Sequence, residues 1–134
     1  MNYMYLALWF FVILFIYAIF MVLKFSKKKK LTSQEIAQLK ILLQRIQRWV
    51  STKEKIVDMD KLYHKILKQL WYTGTFWEIL KAQPNEIWDI QKIWELHKLR
   101  NKLVHEFDNH GEKYLRQADK DYKKQIQVLL ANIK

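Results

Sequence analysis

The chain has no cysteine, one proline and two glycines in 134 residues. Without thiols it can build neither a disulfide framework nor a thiolate metal site. The shortage of proline and glycine argues against turn-rich β architectures and against a glycine-rich phosphate loop. No H-E-x-x-H or H-x-H spacing links His64, His97 or His110, so no metal site is expected and no cofactor is implied. The composition is otherwise 51% hydrophobic and 28% charged, a balance that excludes a disordered polyelectrolyte and fits an all-α protein of one domain.

Acidic residues are also scarce: 24 Lys and Arg face 13 Asp and Glu, a net charge of +11. The excess begins beside a long uncharged run. Residues 3–23, YMYLALWFFVILFIYAIFMVL, are expected to form a single transmembrane helix, because an apolar helix of that length matches a bilayer core of ~30 Å. No early Lys or Arg and no A-x-A-like site precede or end the run, so it reads as an uncleaved anchor. Lys24, Lys27, Lys28, Lys29 and Lys30 then form a basic juxtamembrane linker, residues 24–31. One-sided positive charge places the rest of the chain in the cytoplasm, on a single-pass protein of the cytoplasmic membrane. The same lysines are candidates for anionic lipid headgroups or RNA, or they serve only as a topology signal. Setting those five aside, the 19 remaining Lys and Arg against 13 acids still leave residues 31–134 at +6, which favours an anionic partner.

Residues 32–134 read as a four- to five-helix antiparallel bundle. Thr32 with Glu35 and Ser51 with Glu54 have the form of capping boxes, followed by apolar stripes at helical spacing: Ile36, Leu39, Leu43, Ile46, Val50, and then Ile56, Met59, Tyr63, Ile66, Leu67, Leu70. The spacing predicts helices over 33–50 and from 51 up to the break at Thr73-Gly74-Thr75. A short helix over 76–81 comes next, then one over 86–106 capped by Pro84-Asn85. A last helix begins with a box at Asn109 and Glu112 and carries Leu115, Ala118, Tyr122, Ile126, Leu129 and Ile133 inward. The tryptophans at 49, 71, 77, 88 and 94 could stack bases, or they pack at the core and at interfaces.

One residue breaks the pattern. At 100° per residue Arg100 falls within the apolar arc of the 86–106 helix, near Ile93 and Val104, with His97 and Asn101 toward one edge. His105 lies about 140° away around an ideal helix. A guanidinium in such a setting costs several kcal/mol unless it is paired. Two partners suit it: a carboxylate of the preceding long helix, where Glu54, Asp58 and Asp60 are available, or a ligand phosphate, which the planar fork of Arg binds well.

Arg100-Asn101-Lys102-Leu103-Val104-His105 resembles the R-N-x-x-x-H motif of HEPN domains, small helical bundles of which many are metal-independent ribonucleases. The stretch from "DMDKLYHKILKQL" to "LRNKLVHEF" is also similar to small bacterial proteins with a membrane anchor and an HKxRNxxxHE helix. The HEPN resemblance implies a homodimer with a shared cleft, in which Arg100 binds the scissile phosphate, His105 transfers protons and Asn101 orients the pair. Lys98 and Lys102 flank the motif and could meet RNA backbone, or they form a solvated face with Glu95 and Glu106. Phe107 stands where some HEPN toxin components carry tyrosine. The resemblance implies an RNA-binding domain, possible RNA cleavage included; the other reading is a non-catalytic, membrane-tethered interaction module in which Arg100 and His105 are structural.

Overall fold

The computed structural model describes residues 3–25, 30–105 and 110–133, all helix and short connections with no strand among them. Among the described residues six helices occur in order: α1 (Tyr3–Phe25), α2 (Ser33–Gln47), α3 (Thr52–Gln69), α4 (Phe76–Lys81), α5 (Ile90–His105) and α6 (Glu112–Asn132). The all-helical expectation and the bundle hold. The transmembrane helix expected at 3–23 does not: among the described residues no helix is long and apolar enough to cross a membrane. The segment is helical as α1, Tyr3–Phe25. No described side chain of α1 belongs to the core, and Trp9, Phe11, Phe15 and Val22 are all exposed. Lys27, Lys28 and Lys29 lie outside the described residues.

Caps set most boundaries as the sequence implies. Thr32 and Glu35 form a full capping box, its hydroxyl accepting from Glu35 N–H at 3.2 Å while the carboxylate accepts from Thr32 N–H at 2.7 Å. Thr75 and Glu78 repeat it at the head of α4, which pulls the Glu78 carboxyl below its usual range. Ser51 caps α3 from its side chain alone, accepting from Glu54 N–H at 3.3 Å. Two boundaries move. α2 stops at Gln47, so Val50 is fully exposed and leaves the predicted stripe. α5 begins at Ile90 because Asp89, not Asn85, caps it, accepting from Lys92 N–H at 2.9 Å, while the preceding chain turns through an Ile87 N–H to Pro84 C=O bond. Asn109 of the last expected box lies outside the described residues; Gly111 is the N-cap of α6 and makes no side-chain cap.

The α3–α4 connection depends on backbone geometry. Trp71 takes φ 72° just past α3, with Tyr72 N–H bonded to Leu67 C=O and Trp71 N–H to Lys68 C=O. This is a Schellman ending with tryptophan where glycine is usual. Gly74 has φ +100°, and a Cβ there would lie 2.7 Å from Glu78 Oε2, the atom that closes the α4 capping box.

The main helix pairings are α3 with α6, α2 and α5, and α5 with α6. Thr52 reaches Glu112, and Asp60 reaches Tyr122, so α3 and α6 ascend together as a parallel inner pair. α2 and α5, joined to them by short connections, run the other way on either side. Ile56, Met59, Ile66, Leu67, Ile93, Tyr122 and Ile126 fill the space between, all essentially inaccessible to solvent. Burying side chains of that size contributes roughly 1.5–3 kcal/mol each before chain entropy is counted.

Candidate functional site

Asp60 lies at the centre of the bundle, 4% exposed. It follows the inward stripe of α3, one turn after Ile56 and one before Tyr63. A carboxylate so placed needs partners in every direction. Tyr122 of α6 donates its hydroxyl to Asp60 Oδ1 at 2.6 Å, and His97 of α5 approaches the same oxygen with Nδ1 at 2.8 Å. Arg100 brings Nε to 3.5 Å from Asp60 Oδ2, close enough for charge pairing though not aligned as a hydrogen bond. Burial, followed by the Asp60 charge, pushes the Tyr122 hydroxyl well above its ordinary pKa.

The motif residues close a ring on this carboxylate. Arg100 Nη1 donates to Asn101 Oδ1 at 2.8 Å, which turns the amide nitrogen of Asn101 toward His97 Nε2, 3.3 Å away. With His97 Nδ1 carrying the proton given to Asp60, Nε2 is free to accept from Asn101, so one neutral tautomer satisfies both contacts. Asp60, His97, Asn101 and Arg100 thus form a ring closed by three hydrogen bonds and one charge pair, with Arg100 Nε held against Asp60 Oδ2 by charge alone. Phe76 of α4 seals one side: its ring stands edge-on to His97 at 4.7 Å and stacks on His64 at 5.3 Å. Burial and nearby Lys68 lower the His64 pKa.

The other sequence candidates are dispersed. His105 is exposed at the last residue of α5, and Lys98 and Lys102 are exposed on the same helix. Val104, expected inward, is 47% exposed. It continues the stripe of His97, Arg100 and Asn101, which runs beside the core stripe of Ile93, Leu96 and Leu103. Trp94 is half-buried against the core and meets Trp77 edge-on at 5.8 Å, whereas Trp49, Trp71, Trp77 and Trp88 are exposed. Lys81 sits 3.7 Å over the Trp77 ring, a cation–π contact that occupies one face of that indole.

Sequence reasoning named Asp60 as one of three possible partners and did not link His97 or Tyr122 to Arg100. Asp60 was nonetheless separable, because of the three only it fits the 56-59-63-66 stripe. Comparison with known proteins gives no match: no family model, no curated protein and no solved structure is similar to the chain.

Proposed function

We propose that the chain is a non-catalytic helical interaction module, held at an anionic lipid surface by its N-terminal segment. The observation that carries this reading is the ring around Asp60. Arg100 and Asn101, which a phosphate-binding role needs free, are engaged with a carboxylate, an imidazole and each other inside one chain. An ion pair of this kind favours one helix register over its neighbours. A scaffold has use for that. A cleft shared between two protomers is not required, since Arg100 finds its counter-charge within its own bundle.

The apolar α1 and the lysines at 24 and 27–30 support the lipid contact. The described aromatic and aliphatic side chains of α1 are exposed to a degree unlike those of the bundle helices, and adjacent positive charge is attracted to anionic headgroups by about 1 kcal/mol per residue. The cytoplasmic leaflet is the anionic one, so the bundle faces the cytoplasm in this account. The test is incubation of the full chain with structured and single-stranded RNA in EDTA. No cleavage is expected. Metal-free cleavage that His105→Ala abolishes would replace this reading with the ribonuclease one.

A further inference from the structure

α2 and α5 flank the inner pair in equivalent ways, yet they close on α6 differently. α5 packs on α6 with only about 120 Å³ between them, bordered by Lys92, Leu96, Tyr114 and Ala118 among others. Between α2 and α6 a groove of about 800 Å³ stays open. Its α2 wall is Lys40, Leu43, Gln44, Gln47 and Arg48; its α6 wall is Lys123, Gln127, Leu130 and Ala131.

These walls have the spacing of helix-packing ridges. Relative to the first residue of each, the α2 set falls at +3, +4, +7 and +8 and the α6 set at +4, +7 and +8, so each helix presents one continuous stripe to the gap. The two stripes run antiparallel, since α2 opposes α3 and α3 parallels α6. Leu43 and Leu130 are buried and form an apolar floor, with the glutamines above it. Lys40, Arg48 and Lys123 are exposed on the rims, and none of the lining residues is acidic. Asp119, one turn before Lys123, is already bonded to Gln47 at 3.2 Å.

The geometry points to a docking site for an acidic amphipathic helix of a partner protein. Such a helix would lay leucine-like residues on Leu43 and Leu130 and set carboxylates against Lys40 and Arg48 on the α2 rim and Lys123 on the α6 rim. Lys40 and Arg48 are eight residues apart, about 12 Å along the axis, so the incoming helix needs acidic residues about two turns apart. A second copy is a poor occupant, because a chain of net charge +11 brings like charge to a basic rim. RNA is a poor occupant as well: the lining has no aromatic ring on which a base could stack. This inference rests on reading the chain as an interaction module and names the chemistry of its partner.

The test is a fluorescence anisotropy titration of the full chain, held in phosphatidylcholine vesicles, with a synthetic helix of about four turns bearing leucine at every third or fourth position and glutamate beside it. The same peptide with lysine for glutamate, and a single-stranded RNA oligonucleotide, are the comparison probes. The acidic helix is expected to bind and the lysine version not. Combined Lys40→Glu, Arg48→Glu and Lys123→Glu should weaken binding by roughly tenfold or more, and Ala131→Trp, which fills the groove without changing charge, should do the same. Combined Lys65→Glu, Lys68→Glu and Lys113→Glu, an equal charge change at exposed positions that do not line the groove, should leave binding within about threefold; circular dichroism checks that each variant is folded. Equal loss in both triple variants, unaltered binding by Ala131→Trp, or RNA binding in the groove in place of the helix overturns the inference. Metal-free RNA cleavage by the same preparation would instead overturn the module reading, and leave the helix titration to stand or fall by itself.

Discussion

Replacing Asp60 with alanine removes the one acceptor on which three helices converge. Tyr122 is fully buried, so its hydroxyl loses a 2.6 Å bond with no water to replace it, a cost of about 1–3 kcal/mol. His97 has a side chain only 12% exposed and loses the acceptor for Nδ1, which adds about 1 kcal/mol. Arg100 is 24% exposed and keeps Asn101; its stranded charge reaches solvent and adds less than about 1 kcal/mol. The combined loss is about 2–5 kcal/mol, large against the roughly 5–15 kcal/mol of a domain. Asp60→Asn retains an acceptor and should cost about half as much. The assay is urea unfolding of the full chain in mild detergent, monitored by tryptophan fluorescence and by helical ellipticity. Adding Tyr122→Phe to Asp60→Ala should cost little more, because the hydroxyl it deletes has already lost its partner, and the coupling should be about 1–2 kcal/mol. An Asp60→Ala variant within about 1 kcal/mol of the parent would refute the ring as a stabilising element.

Individual backbone and side-chain positions carry further consequences. Trp71→Gly should raise stability by about 1 kcal/mol, because Trp71 is 65% exposed and holds φ 72°; a lower unfolding midpoint would show that its ring contributes packing. Gly74→Ala should lower it by about 1–3 kcal/mol, since the new methyl meets the carboxylate that caps α4; a neutral result would mean that the loop moves freely. Burial raises the pKa of both Tyr63 and Tyr122 above the ordinary phenol value. The unfolded chain therefore loses these protons first as pH rises past about 10, and stability should fall there by up to about 1.4 kcal/mol per pH unit for each tyrosine. Tyrosinate absorbance should show Tyr63 and Tyr122 titrating only as the helices melt; their titration in the folded protein would contradict the burial.

How much was legible in the sequence depended on whether the signal was local. Helix α4 matches its expected range, 76–81, because Thr75 and Glu78 specify its start within four residues. The α6 stripe is equally faithful: Leu115, Ala118, Tyr122, Ile126, Leu129 and Ile133 are all buried. At α5 two capping signals competed, and the aspartate directly before the apolar repeat prevailed over Pro84-Asn85. Hydropathy of residues 3–23 suggested a membrane crossing that the helix does not reach among the described residues. The Arg100 question could be posed from periodicity but not answered by it. Its answer required knowing that α3, α5 and α6 meet at one level, which depends on how the whole bundle packs and not on any window of sequence. Tyr122 shows the same limit: its ring was placed in the core, while the direction of its hydroxyl, toward Asp60, depends on a helix sixty residues earlier.

The most direct test of the account is a double-mutant cycle between Asp60 and Arg100, with Asp60→Asn and Arg100→Met alone and together, read by urea unfolding. If Arg100 is committed to Asp60, the two should be coupled by about 1 kcal/mol in the stabilising direction, with Arg100→Met destabilising in the parent and nearly neutral once Asp60 is asparagine. A coupling of zero, with Arg100→Met neutral in both backgrounds, would mean that the guanidinium stabilises nothing in the bundle and is held for something outside it.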